Sequence, residues 1–287
     1  VLDTIPIPGF SEPFSSITHL LAAGLSFVGF FFLAYKGWGN RVRLFAISVY
    51  SFSLVFLFSM SGVYHLLEPG FTPHAVLQQL DHAAIWTLIA GTFTPLHMIL
   101  FRGSWRWGVL MLIWTIAITG LVLEAVFFEE VSAWMSLSFY LGLGWFGVLT
   151  SYHFRRTFGD RSIRYLWLGG ACYSAGGLLD FLGWPVLVKG VIGGHDIFHI
   201  FVIAGAFYHW LFVYKWAHYP TRNHVNFEVS VFPDGTHVAH AVGENIHIEA
   251  KSIVQLKKQI RERVNEIFHP DMRPESIRLK FTSEEYL

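Results

Sequence analysis

Apolar residues in this chain come in long unbroken runs, not in the stripes or alternations of water-soluble elements. Seven runs stand out, at about Phe14–Tyr35, Leu44–Leu66, Leu80–Phe101, Trp107–Phe128, Ser132–Tyr152, Ile163–Trp184 and Val191–Tyr214. Each is close to the ~20 apolar residues that a helix needs to cross the hydrocarbon of a bilayer. The pattern therefore predicts seven transmembrane helices, and their short connections predict antiparallel neighbours in a bundle. Trp105, Trp107, Trp184, Trp210 and Trp216 lie near run ends, as interfacial belts require. Gly142, Gly144 and Gly147 in the fifth run, and Gly169, Gly170, Gly176 and Gly177 in the sixth, permit close helix approach or leave room for a ligand.

After Tyr219 the pattern changes. Val225 to Val231 alternates apolar and polar residues, as a half-buried strand does. Pro233-Asp234-Gly235 is a turn signal. His237 to Val242 and Asn245 to Ala250 supply further strands, and Ile277 to Phe281 a last one. Ser252 is placed to cap a helix to about Phe268, with Ile253, Leu256, Ile260, Val264 and Ile267 on one stripe. The predicted fold class is an all-α polytopic membrane protein, a seven-transmembrane-helix bundle over residues 1–218. A small soluble α+β C-terminal domain follows over residues 219–287. The histidines of that domain, His237, His240, His247 and His269, share no short ligand motif and read as surface residues.

Composition agrees with a membrane protein. Of the 287 residues, 53% are hydrophobic and only 14% charged, against the ~25% charged of soluble domains. The net charge of zero gives a nucleic-acid partner no electrostatic support. Cys172 is the single cysteine, so no intrachain disulfide forms. Val1 to Glu12 lack the basic start of a cleavable signal, and the first span is expected to direct insertion.

Charge in the short loops predicts orientation. Lys36, Arg41, Arg43, Arg102, Arg106, Arg155, Arg156, Arg161 and Arg164 fall in the odd loops, whereas the even loops carry Lys189 alone. The positive-inside rule then puts the N-terminus outside and the C-terminus in the cytoplasm. The C-terminal domain would meet any cytoplasmic partner.

Candidate chemistry gathers at the other edge. His195 and His199 open the last span four residues apart, on one helix face. His65 ends the second span at the same depth, with Ser61 one turn before it. Asp81 and His82 begin the third span, His19 lies in the first, Asp180 late in the sixth and Glu124 late in the fourth. Ionisable groups within membrane spans are functional candidates. Three imidazoles (His65, His195, His199) with an open fourth position are the pattern of catalytic zinc. Asp81 could then serve as a base on water, and Ser61 as a hydrogen-bond donor. His19, His82 and Asp180 are candidates for supporting roles around the ligands.

These residues resemble the progestin and adipoQ receptor family and its bacterial hemolysin III-type branch. The resemblance rests on Ser61-x-x-x-His65, on His195-x-x-x-His199, and on the run from Leu80-Asp81-His82 to Thr94-Pro95. Glu12-Pro-Phe-Ser-Ser-Ile-Thr-His19 is similar to the branch's first motif, although Ser15 stands where Asn is usual. The resemblance covers about Glu12 to Tyr214 and implies a seven-helix bundle with Zn2+ on His65, His195 and His199. It also implies Asp81 and Ser61 around a water, and a ceramidase-like activity similar to that of the alkaline ceramidases. The adiponectin receptors of this family hold the metal on the cytoplasmic side, whereas the loop charges here put it near the outer face.

The leading expectation is an intramembrane zinc hydrolase acting on the amide or ester of a membrane lipid. A receptor or regulator of membrane homeostasis with structural zinc is the first alternative, and a channel or transporter the second. No line of polar residues crosses the whole span, which disfavours a pore, although His97 and His209 lie near the inner edge.

Overall fold

The computed structural model describes residues 5–6, 9–159, 163–219, 224–268, 273–274 and 276–282. Arg161 of the loop-charge pattern, His269 and parts of the N-terminal segment lie outside the described residues. Eight helices precede a small sheet. They are α1 (Pro13–Gly37), α2 (Arg41–Tyr64), α3 (Thr72–Leu100), α4 (Gly103–Val126), α5 (Ala133–Trp145), α6 (Gly147–Phe158), α7 (Arg164–Leu182) and α8 (Gly194–Trp216).

Among the described residues, six segments are long and apolar enough to cross a membrane: α1 to α4, the α5–α6 pair, and α8. The expected sixth span, α7, forms and packs along α8, but it falls short of that measure. Its 19 residues include Arg164, Asp180 and two glycine pairs. The chain is thus a mostly helical membrane protein with six candidate spans and a small C-terminal sheet domain.

Two other elements differ from expectation. α3 starts at Thr72, a turn or more before the apolar run, with proline in its first turn. Proline is suited to that position because its missing N–H has no helical partner there. The residues it adds, among them His74 and Gln78, are polar and escape a hydropathy reading. The expected fifth span is divided at Phe146 between α5 and α6, where Gly142, Gly144 and Gly147 weaken the helix.

Large apolar side chains face outward, including Leu25, Phe27 and Phe31 on α1 and Met111, Ile118 and Val122 on α4. Helices apolar on both faces suit a lipid surround. Between them, Tyr50, Leu54 and Phe58 of α2 meet Ala84, Leu88 and Ile99 of α3 in a continuous core. Gly91 lets α3 approach α2, because a Cβ there would lie 2.6 Å from Ser53 Cβ.

The C-terminal domain comprises β1 (His224–Val231), β2 (His237–Ala241), β3 (His247–Ala250), α9 (Ile253–Ile267) and β4 (Ser276–Thr282). The sheet order is β3-β2-β1-β4, with β1 and β4 parallel and the other pairs antiparallel. α9 therefore makes the crossover that a parallel pair needs. Ser252 caps it by accepting from Gln255 N at 3.3 Å. Leu256, Ile260 and Val264 pack on Val225, Phe227 and Val229 in a separate core.

One buried cation joins this domain to the helices. Arg43, 4% exposed, lies in the first turn of α2. Its Nη1 donates to the carbonyls of His218 at 2.8 Å and Tyr219 at 3.2 Å, and to Glu244 Oε2 at 3.3 Å. Its Nη2 donates to the carbonyls of Trp38 and Gly243 at 3.3 and 3.2 Å. One guanidinium thus holds the end of α1, the start of α2, the chain leaving α8 and the β2–β3 turn. Burial, with Lys36 and Arg43 nearby, holds His218 below the ordinary imidazole value, so it adds no charge at neutral pH. Removing one partner of a buried ion pair costs about 3–5 kcal/mol. Arg43→Met should therefore lower the thermal midpoint and release the C-terminal domain to limited proteolysis, with Arg43→Lys restoring little. An unchanged proteolytic pattern would show that other contacts hold the domain.

Candidate metal centre

The end of the bundle opposite Arg43 gathers the polar side chains. α2 terminates in Ser61-Gly-Val-Tyr-His65, where His65 N donates to the Ser61 carbonyl at 3.1 Å. That final turn points the His65 ring inward, 3% exposed. α8 starts at Gly194, and Gly193 N donates to Asp196 Oδ2 at 2.9 Å, which satisfies an orphan donor of the first turn. The other oxygen, Asp196 Oδ1, accepts from Ser15 Oγ at 2.8 Å and ties α1 to this end. His195 and His199, one turn apart, then face His65.

The three rings meet through their Nε2 atoms. His195 Nε2 lies 3.3 Å from His65 Nε2 and 3.1 Å from His199 Nε2. At Zn–N distances of about 2.0–2.1 Å, tetrahedral ligation sets N···N edges of about 3.3 Å. The far sides of two rings settle their tautomers. His65 Nδ1 lies 2.7 Å from Glu12 Oε2, and His195 Nδ1 lies 2.9 Å from Asp180 Oδ1. A carboxylate can only accept, so each Nδ1 carries its proton and each Nε2 presents a lone pair. Lone pairs facing at such distances repel unless a cation lies between them. The donor set and its spacing fit a transition metal, and His65, His195 and His199 can hold one ion.

The supporting candidates divide. Asp180 lies behind His195, as a carboxylate behind a ligand does. His19 stacks flat on His199, with ring centres 3.8 Å apart and planes at 14°, and meets the edge of Phe58. It supports the face of His199 and stands outside the Nε2 cluster. His82 turns to α4, with Nδ1 3.5 Å from Glu124 Oε1. Glu124 also accepts from Trp86 Nε1 at 2.6 Å, Ser136 Oγ at 2.9 Å and the Tyr140 hydroxyl at 2.6 Å. His82 thus belongs to a second polar knot that joins α3, α4 and α5.

Asp81 and Ser61 line the same cavity as His195 and His199. The cavity holds about 300 Å³ and runs from the histidines past Ile85, Ile89 and Phe93 of α3 to Trp167 and Tyr173 of α7, reaching His209. Gly144 and Gly170 are in its wall, and a Cβ on either would meet nothing within 4 Å.

Sequence reasoning gave Glu12 no role beyond the opening of the first motif, and it passed over Asp196. The available signal was a carboxylate beside each histidine-bearing helix end, at the depth of the imidazoles. Spacing alone did not say which nitrogen each would meet.

Taken together, a bundle of apolar helices with three converging imidazoles at one end defines a polytopic membrane protein with a cluster of histidines able to hold a metal ion. Comparison with known proteins places it more closely. The family profile described as Haemolysin-III related matches residues 10–210, and the chain belongs to that family. It is 30% identical over 198 residues to Hemolysin-3 of Bacillus cereus, covering 67% of this chain and 85% of that protein. It is 28% identical over 194 residues to a Hemolysin-3 homolog of Bacillus subtilis (strain 168), covering 67% and 87%. The profile match ends inside α8, so the C-terminal sheet domain lies beyond it.

Carboxylates behind ligand histidines raise metal affinity, and their loss commonly costs 10–100-fold. Glu12→Gln and Asp180→Asn should each weaken metal retention by about that factor, read by metal content after graded chelator dialysis. His195→Ala with His199→Ala should abolish retention and lower the thermal midpoint, since a bound ion stabilises the folded state. Full metal content in that double variant would remove the three-histidine site.

Proposed function

We propose that this protein is a zinc-dependent hydrolase of a membrane lipid amide or ester, similar to a ceramidase. The observation that carries the reading is the placement of the three convergent imidazoles at the head of a largely apolar cavity. A lipid whose polar link lies at the bilayer edge and whose chain lies in hydrocarbon matches that arrangement. The open walls at Gly144 and Gly170 supply the room for the chain.

Zinc held by His65, His195 and His199 supplies Lewis-acid polarisation of a carbonyl and makes water more acidic. The remaining work falls to the protein. Asp81 takes a proton from the attacking water on its carboxylate oxygen and delivers it to the departing amine or alkoxide. Ser61, beside Asp81 in the cavity wall, donates its hydroxyl proton to the substrate carbonyl oxygen as charge grows there. Apolar residues of α3, α5 and α7 exclude bulk water from the chain. Cleavage of membrane lipid also gives a route to lysis, the activity in the name of the Bacillus cereus relative.

We place seven spans in the membrane, α7 included, with residues 1–218 as the membrane domain and 219–287 as a cytoplasmic one. The loop charges then put the N-terminus and the metal centre at the outer face, and the bacterial relatives support a bacterial inner membrane. A receptor or regulator is the second reading. It draws on Arg43, which grips the far ends of α2 and α8, the two helices that carry all three histidines.

Asp81→Ala should keep its zinc and lose lipid-amide or ester hydrolysis in mixed micelles by about 10²–10⁴-fold, the usual worth of a positioned base. Full activity would remove Asp81 from the mechanism, and loss of zinc would make it a ligand. Inactivity of the wild type on both linkages would favour the regulator. Gly144→Leu and Gly170→Leu should fold and discriminate against long acyl chains, read as a shift in chain-length preference. An unchanged preference would put the chain elsewhere. Cysteines placed at 69 or 70, between α2 and α3, should react with a membrane-impermeant thiol reagent in intact cells. Reaction only after lysis would invert the topology.

A further inference from the structure

The C-terminal domain carries a second histidine pair that chain order hides. His240 on β2 and His247 on β3 are direct partners in the antiparallel register. Both are exposed. His247 Nδ1 lies 3.2 Å from His240 Nδ1 and 3.0 Å from His240 Nε2, and the ring centres are 4.2 Å apart at 50°. One nitrogen nearly equidistant from two others is not a single directed hydrogen bond, which aims at one in-plane lone pair. The two exposed rings are instead held side by side, and a rotation about χ2 turns an in-plane lone pair of each toward a shared ion.

The row continues onto a third strand. Glu228 of β1 is the register partner of His240 on its other side. Glu228 is exposed, while Phe227 and Val229 are buried on the opposite face. His247, His240 and Glu228 therefore cross three strands on one solvent face. Direct cross-strand neighbours have Cβ atoms about 4.5–5.5 Å apart, so a change of the Glu228 rotamer brings its carboxylate to an ion held by the imidazoles. Two imidazoles and a carboxylate suit a divalent transition metal. Lys280 of β4 flanks Glu228 on its far side and competes for the carboxylate, which makes the imidazoles the principal ligands.

We propose that His240 and His247, assisted by Glu228, form a second metal site on the exposed face of the C-terminal sheet. It takes a divalent transition ion such as Zn2+, more weakly than the three-histidine centre. Its position adds a consequence. The tip of the same hairpin, Gly243 and Glu244, is held by Arg43. An ion at the pair staples β2 to β3 next to the contact that docks the domain on α2.

The test uses the full chain in detergent with any oligohistidine tag removed. Equilibrium dialysis against tens of micromolar Zn2+ is followed by metal counting. The wild type should take up one more ion per chain than His240→Gln with His247→Gln, while the zinc at the three-histidine centre remains in both. His237→Gln, on the same strand, should keep full uptake, and Glu228→Gln should bind several-fold more weakly. With Cu2+ as the ion, electron paramagnetic resonance should show nitrogen ligation in the wild type that the double variant lacks. The glutamine variants should melt with wild type given no added Zn2+, both keeping the zinc of the three-histidine centre, which excludes a loss of fold. Equal uptake by wild type and double variant would overturn the site, as would an equal loss in His237→Gln.

Discussion

In their neutral forms His65 and His195 face each other with Nε2 lone pairs 3.3 Å apart, an arrangement that a shared positive charge relieves in a low-dielectric interior. Much of the architecture at this end of the protein serves that arrangement. Glu12 and Asp180 fix protons on the outer nitrogens of His65 and His195, and Asp196 pins the start of α8 to α1 through Ser15. The stacked ring of His19 backs His199. These groups come from four helices, so the site is complete only when α1, α2, α7 and α8 are assembled. Metal binding and bundle assembly are in consequence linked, because an ion that prefers the assembled state also stabilises it.

The opposite end repeats the logic with a cation that the chain itself supplies. Arg43 is a buried cation satisfied mainly by backbone carbonyls and by Glu244. Its partners belong to the ends of α1 and α8 and to the β2–β3 turn. Helices are stiff, so what is gripped at one end of α2 and α8 bears on the rings at the other. This gives the family-matched region and the sheet domain beyond it a physical connection, whatever chemistry the metal centre performs.

Between the two ends, glycine has two distinct uses. Gly91, Gly120 and Gly205 meet Ser53, Trp86 and Tyr173 at distances that no Cβ tolerates, so they close the bundle. Gly142, Gly144 and Gly170 face open space. The bundle is therefore tight where α3 meets α2 and α4 and where α8 meets α7, and open at Gly144 and Gly170, which line the cavity.

Much was legible in the chain itself. Apolar run length located the helices, and the alternation with a Ser252 cap located the sheet domain and α9, because these depend on local pattern and solvent. The set His65, His195 and His199 was legible because helix periodicity and membrane depth are one-dimensional quantities. Depth does not say which way a ring turns about the helix axis. It placed His19 and His82 beside the ligands, whereas packing stacks one on His199 and turns the other to Glu124. The early start of α3 and the division at Phe146 escaped because polar helix ends and glycine-weakened turns carry no hydropathy signal. His240 and His247 read as scattered, since strand register brings distant residues together and register is fixed only by pairing. Sequence determined which segments are apolar enough to face lipid and which residues lie near the same helix ends. Tertiary structure alone decided which atoms meet, because that rests on side-chain rotation and cross-strand pairing, which no local pattern encodes.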